Sequence, residues 1–193
     1  MRAFADLFKQ TFVALPLTAA IAFVSLTGAG SAVAQSAELD LLLDELANPE
    51  TQNWQQVERQ IRNEWSKSGS AAMDLLLQRG EKALEAKEYD KAIEHLTALT
   101  DHAPDFAEGW NARATAYFHK KLYGPAMEDI GHALALNPRH FGALTGLAVI
   151  LQDVGMTADA EKAWQMVRAL HPHREEIDQA LEALGRLNGA QEL

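Results

Sequence analysis

The chain has 193 residues, 48% of them hydrophobic, which is enough for one ordinary domain, and it carries a formal net charge of -10. That balance excludes the basic patch that neutralises a phosphate backbone, so no nucleic-acid partner is expected. With no cysteine, disulfides, cysteine-based metal sites, thiol nucleophiles and a lipid-modified N-terminal cysteine are excluded as well.

Residues 1–34 differ in kind from the rest. Arg2 and Lys9 form a short n-region around Asp6, an apolar run extends from Phe12 to Leu26 with Pro16 inside it, and small residues lead to Ala32-Val33-Ala34. This is the layout of a secretory signal with an A-x-A site, cut between Ala34 and Gln35. Export to the periplasm or beyond is therefore expected. The alternative, an inner-membrane anchor made by residues 12–26, is weakened because that run falls short of the ~20 residues that span a bilayer comfortably. Cleavage would remove Arg2, Lys9 and Asp6, a net +1, and take the mature chain from -10 to -11.

From Gln35 to residue 72 the spacing predicts a helical hairpin. Leu39, Leu42, Leu43 and Leu46 mark one face of a first helix that stops near Asn48-Pro49, since proline cannot continue it. Trp54, Val57, Ile61 and Trp65 mark the buried face of a second, which stops before the turn-type cluster Ser66 to Ser70. The hairpin is expected to cap the exposed apolar side of the first repeat, because solenoid ends need capping. Presentation of Trp54 or Trp65 to a partner, or to a second copy of the chain, is the alternative.

Two ladders organise the chain beyond residue 72. Prolines recur at Pro104, Pro138 and Pro172 and alanines at Ala92, Ala126 and Ala160, both with a step of 34 residues, the mark of a helical repeat array. The ladders set repeats at 73–106, 107–140 and 141–174, each a helix, a turn and a second antiparallel helix. In the second unit the turn is placed near Tyr123-Gly124-Pro125. Gly80, Ala114 and Ala148 are the small contacts of the first helices, with bulk at Leu76, Trp110 and Leu144 one turn earlier. Leu96, Ile130 and Trp164 fill the space between layers, giving the alternation of small and large that close packing needs. Asp105 is placed to cap the helix after Pro104, with Glu108 as its capping-box partner. A last helix over His173 to Leu187, with Ile177, Ala180, Leu181, Leu184 and Leu187 on its apolar face, is expected to stop at Asn188-Gly189 and to close the array within residues 175–193.

Repeat two, with Trp110, Ala114, Tyr117, Tyr123, Ala126, Ala133 and Pro138, closely resembles the tetratricopeptide repeat family. Repeat one keeps Gly80, Tyr89, Ala92 and Pro104, and repeat three keeps Leu147, Ala148, Ala160 and Pro172. In its whole layout the chain resembles small exported proteins of this family in alphaproteobacteria. The resemblance implies an all-α, right-handed solenoid of antiparallel helix pairs, in which the first helices of the repeats line a concave groove. It implies no enzyme activity and no cofactor.

By position, the groove candidates of repeat one are Asp74, Leu77, Glu81 and Leu84. Repeat two offers Asn111, Thr115, Phe118 and His119, and repeat three Thr145, Val149 and Gln152. Asn111 stands out because an amide both donates to and accepts from a peptide backbone. Family members that clamp terminal carboxylates place cations at defined groove positions, which here hold Leu77, Glu81, Ala112, Gly142 and Gly146. A carboxylate would meet no cationic pair there, so a protein or peptide partner of apolar or basic character is expected. His95 with His102, and His171 with His173, lack the spacing of a helical zinc site, and no metal is expected. No nucleophile elbow, phosphate loop or paired-carboxylate spacing is present. The expected role is a scaffold or adaptor of the bacterial envelope. An accessory factor for envelope assembly or apo-cytochrome maturation, and a self-associating structural protein, are the alternatives.

Overall fold

The computed structural model describes residues 28–191. Among these residues the chain is all helical: α1 (Gly28–Ala47), α2 (Trp54–Trp65), α3 (Ala71–Glu85), α4 (Tyr89–His102), α5 (Ala107–His119), α6 (Tyr123–Leu136), α7 (Phe141–Asp153), α8 (Thr157–Leu170) and α9 (Glu175–Gln191). The secretory signal and the alternative anchor at 12–26 lie largely or wholly outside the described residues. No helix among those described is long and apolar enough to cross a membrane.

Helices α3 to α8 form three antiparallel pairs, each stacking on the next through α4 against α5 and α6 against α7, and α9 packs on α8 at the end of the stack. The alanine ladder lies in the interior of the stack, where Ala92, Ala126 and Ala160 are wholly buried. Gly80 marks a close approach, since a Cβ built there would lie 2.5 Å from the Leu96 side chain. Larger side chains fill the layers between, with Leu96, Ile130 and Trp164 all buried.

A third ladder of the same period sits in the turns. Lys87 and Lys121 have φ of 58° and Gly155 has φ of 79°. In each case the next residue's N–H donates back to the first helix: Glu88 to the Ala83 carbonyl at 2.8 Å, Leu122 to Tyr117 at 2.9 Å and Met156 to Leu151 at 2.9 Å. Shorter-range bonds from Lys87 to Leu84, Lys121 to Phe118 and Gly155 to Gln152 complete a Schellman motif at every first-helix end. The second-unit turn therefore precedes the expected Tyr123-Gly124-Pro125, which instead opens α6. Pro125 is accommodated there because first-turn N–H groups have no helical acceptor.

Other local expectations are corrected. Phe106, not Asp105, precedes α5, and no side chain caps it. Glu108 turns away to accept from Asn111 Nδ2 at 2.9 Å and to meet His140 Nε2 at 3.0 Å. Helix α9 passes through Asn188-Gly189 to Gln191, and α1 begins at Gly28, well before Leu39.

A buried ion pair ties α5 to α6. Arg113 donates to both carboxylate oxygens of Asp129 at 2.8 Å, and it also donates to Thr100 Oγ1 on α4 at 2.8 Å. The guanidinium also lies 4.9 Å over the Trp110 ring. Its geometry satisfies a charge pair that would otherwise be costly to bury.

The hairpin of α1 and α2 does not cap repeat one. It lies along the edge of the solenoid where the inter-repeat turns emerge, and α1 reaches α8. Leu43, Leu46, Val57, Ile61 and Trp65 form one cluster with Phe141, with Leu170 packed against it. Trp65 is buried and stacks on His140 with ring centroids 4.2 Å apart. Trp54 stacks on His173 at 5.6 Å and meets His171 edge-on at 5.3 Å. Both tryptophans are thus occupied within the chain, which removes the basis for presenting them to a partner or a second copy. The amphipathic pattern identified a buried face, but it did not identify what that face is buried against.

One buried polar knot fastens this seam. Glu58 on α2 accepts from Arg62 Nε at 2.8 Å, from Arg174 at 2.5 Å and from His171 Nε2 at 3.2 Å. Burial pushes the Glu58 carboxyl up, but the bonds from Arg62 and His171 and the charges of Arg62 and Arg174 outweigh it and hold it below 4.5. Burial depresses His171 below 6.5 despite its bond to Glu58, and Arg174 and His173 add to the depression. The His171 Nδ1 is buried without a partner.

These contacts set two expected outcomes. Lys121→Gly places the residue suited to positive φ in an exposed turn, and should raise unfolding stability by about 0.5–1 kcal/mol in urea melts. On acidification, the neutral His171 costs the folded state stability from about pH 6.5 downward, because the unfolded chain takes up that proton first. Glu58 contributes fully above about pH 4.5 and its contribution is lost as pH falls through its lowered folded value. Both effects have the same sign. Thermal midpoints should fall between pH 7 and pH 5 more steeply in the native chain than in His171→Gln.

Candidate functional site

The first helices α3, α5 and α7 lie side by side and make the concave face. Between α5 and α7 the face opens into a cleft of about 250 Å³. The predicted residues Asn111, Thr115, Phe118, His119, Thr145 and Val149 all line it, together with Ala114, Ile130, Gly142, Gly146 and Ile150. The cleft exists because two glycines stand one turn apart on α7. A Cβ at Gly146 would approach Ile130 Cδ1 to 3.3 Å, and one at Gly142 would approach His140 Cε1 to 3.3 Å and Asn111 Nδ2 to 3.7 Å. Side chains there would occupy the floor.

The polar wall is held in place by internal bonds. Thr115 and Thr145 hydroxyls donate back to the carbonyls of Asn111 at 3.0 Å and Phe141 at 2.8 Å, which leaves oxygen lone pairs able to accept. Asn111 donates to Glu108, which meets His140, and His140 Nδ1 accepts from the Ala143 N–H at 3.1 Å at the start of α7. With Nδ1 accepting, Nε2 carries the proton and donates to Glu108. Since Trp65 stacks on that same imidazole, an unbroken series of contacts runs from the hairpin to Asn111. The apolar end is set by Phe118, which meets the His119 ring edge-on at 5.6 Å, while His119 stacks on Tyr89 at 5.0 Å.

The repeat-one candidates do not join this cleft. Asp74 and Glu81 line a separate recess on α3 with Ser66 and Lys67. Asp74 accepts from the Ser68 N–H at 2.7 Å and its hydroxyl at 2.6 Å, so it fastens the turn before α3. Glu81 makes no ion pair among the described residues, and its carboxyl is raised above 4.5 by partial desolvation first and then by the charges of Glu108 and Glu85. Leu77 borders the same recess but does not project into it as a free side chain. It is 1% exposed and belongs to the core of repeat one, as an apolar side chain at that position turns inward where Asn111 and Thr145 do not. Leu84 packs, half-buried, against the same core. Gln152 lies outside the cleft lining, and its carbonyl accepts from Trp164 Nε1 at 2.6 Å.

Positional transfer misses several lining residues. It treats Gly142 and Gly146 only as absent cations, whereas their lack of side chains opens the floor. A second recess of about 240 Å³ shares Asn111, Thr115, Gly142 and Thr145 with the first and is completed by Phe141, Val167 and His171, with Arg62 and Arg174. Those last two come from the hairpin and from the turn after α8. No spacing signal could have placed them, because each lies far in sequence from α5.

No family model matches the chain. A TPR repeat-containing protein of Rhizobium etli is 42% identical over 116 residues, covering 60% of this chain and 57% of the relative. The small glutamine-rich tetratricopeptide repeat-containing protein 2 of Saccharomyces cerevisiae is 29% identical over 130 residues, covering 67% of this chain and 36% of the relative. The chain thus spans little more than half of one relative and about a third of the other. Among solved structures, the first TPR domain of Spaghetti (RPAP3), bound to the HSP90 peptide SRMEEVD, is 26% identical, with a TM-score of 0.59 over 61% of this chain and 93% of that chain. MamA, at 18% identity, has a TM-score of 0.54 over 83% of this chain and 86% of that chain, a likeness of fold alone.

Proposed function

As its three helix pairs are tetratricopeptide repeats, we propose that the chain is a non-enzymatic adaptor that receives a peptide segment or helix of another protein in the cleft between α5 and α7. The observation that carries this reading is the convergence of Asn111, Thr115, Phe118, His119, Thr145 and Val149 on one glycine-floored cleft. Phe118 and Val149 supply an apolar seat, and the Asn111 amide with the two threonine hydroxyls supplies partners for a main chain. The RPAP3 domain that resembles this chain holds a peptide, which supports the same use of the fold here. Glu81, which makes no ion pair among the described residues, favours a basic or neutral ligand residue over α3.

The place of action is the bacterial envelope. Its support is the n-region, apolar run and A-x-A site of residues 1–34. Intact mass of the exported protein should correspond to a chain starting at Gln35; recovery of the uncut chain in the cytoplasm would remove the envelope from this proposal.

Crosslinking capture from envelope extracts with the native chain as bait, repeated with Phe118→Ala and Asn111→Ala, tests the cleft. Phe118→Ala should weaken the captured complex by about 30-fold, the effect of deleting a central aromatic anchor, with an unchanged helical spectrum. A partner that binds both variants as tightly as the native chain would show that the cleft is not the site.

A further inference from the structure

Asn111, Thr115 and Thr145 form the polar wall of the cleft, and each is bonded internally to a group that can only accept. The Thr115 and Thr145 hydroxyls give their protons to the carbonyls of Asn111 and Phe141, so each oxygen is left with lone pairs. For Asn111 the direction is set from further back. The Ala143 N–H can only donate, so His140 Nδ1 accepts and Nε2 carries the proton toward Glu108. The other oxygen of that carboxylate accepts from the Asn111 amide nitrogen. This relay has a single polarity from a backbone N–H to the amide, and it leaves Asn111 Oδ1 free. Apart from the second amide N–H of Asn111, the wall offers lone pairs.

The surroundings keep that balance. His119, the remaining polar residue of the lining, is stacked on Tyr89 at the Phe118 end. In the adjoining recess Arg62 and Arg174 are matched by Glu58 and Glu176. His171 also borders that recess; its Nε2 donates to Glu58, which leaves the buried Nδ1 as one more acceptor without a partner. Among the described residues, no carboxylate lines either space.

We infer that the cleft selects its ligand by neutral N–H donors set beside an apolar anchor, supplied by an Asn or Gln carboxamide or by the ligand's main chain. A carboxylate would bring lone pairs against lone pairs. An ammonium would lose its water in a largely apolar cleft that has no anion in its lining, which is costly for a charged group. A neutral N–H meets the wall oxygens without that loss, and a ligand lacking it leaves them unpaired. The apolar anchor lies toward Phe118, and the donors lie toward Asn111, Thr115 and Thr145. Asn, Asp and Leu are close in shape, so a difference among them in binding reads polarity and not size.

This inference rests on the cleft being a peptide site, and one titration separates the two. Four pools of fluorescent octapeptides, each with one Phe or Leu anchor among Ala and Gly and ending in a dimethylamide, are followed by anisotropy against the full chain. Beside the anchor the first pool carries Asn, the second Asp and the third Leu; the fourth carries Leu with the main-chain nitrogens around the anchor methylated. With a carboxamide as donor, the first pool binds about tenfold more tightly than the second and third. With the main chain as donor, the first and third bind alike and about tenfold more tightly than the fourth. Thr115→Val and Thr145→Val should each cut that margin to about threefold or less, whereas Thr115→Ser, which keeps the oxygen, should preserve it. Glu108→Gln lets the Asn111 amide turn over and present its N–H groups, so the Asp pool should gain on the Leu pool by about threefold or more. No gain in Glu108→Gln, or an Asp pool that binds the native chain most tightly, overturns the donor requirement. Equal, measurable binding of all four pools overturns it too and leaves the cleft standing. Binding of none overturns both.

Discussion

The burial of the alanine ladder between neighbouring helices is the constraint on which the other features depend. Ala92, Ala126 and Ala160 have no exposed surface, and Gly80 has no space for even one more carbon. Helices that approach so closely bury their apolar faces in layers, not around a single centre. The layers then fix the relative placement of α3, α5 and α7, whose inner faces form the concave surface. The Arg113–Asp129 pair reinforces this at the middle unit, where the two helices of the pair and α4 meet. A cleft between α5 and α7 is useful only if those helices do not shift, and the stack supplies that rigidity from behind.

The hairpin adds a second level of organisation. A free solenoid leaves the edge where its inter-repeat turns emerge open to water. Here that edge is covered by α2, whose Trp65 rests on the imidazole that starts α7 and whose Glu58 gathers Arg62, His171 and Arg174. One consequence is chemical. Two histidines that flank the inter-repeat proline serve as packing surfaces for Trp54, which accounts for their presence in a turn. Another is geometric, because the hairpin and the turn after α8 bring Arg62 and Arg174 to a recess that shares Asn111, Thr115, Gly142 and Thr145 with the cleft. The contacts from Trp65 through His140 and Glu108 to Asn111 make hairpin docking and the polar wall of the cleft interdependent.

The acidity of the chain is unevenly distributed in its effects. Glu81 on α3 makes no ion pair among the described residues and is raised by partial desolvation and by the charges of Glu108 and Glu85, whereas Glu58 is buried among three donors and is held low. The first arrangement biases what can lie on the concave surface. The second holds the fold together. Counting charges along the chain cannot separate these uses, since both residues are glutamates on amphipathic helices.

Much of the architecture is legible in the amino-acid order alone. The 34-residue period, the small-large alternation and the prolines determine three helix pairs, because stacking identical units demands the same residue volume at the same place in each. Asn111, Thr115 and Phe118 can be placed on one face for the same reason. The Lys87–Lys121–Gly155 ladder is hidden, since lysine is not a residue that advertises positive φ. Leu77 shows the limit of positional transfer: the repeat assigns a place, but the side chain's own polarity decides whether that place faces the groove or the core. What only the tertiary structure decided is where the hairpin lands. An amphipathic helix specifies that a face must be buried, and burial is non-directional. The choice of the turn edge over the end of repeat one depends on contacts such as Glu58 with His171, 113 residues apart, and that choice brings Arg62 to the cleft.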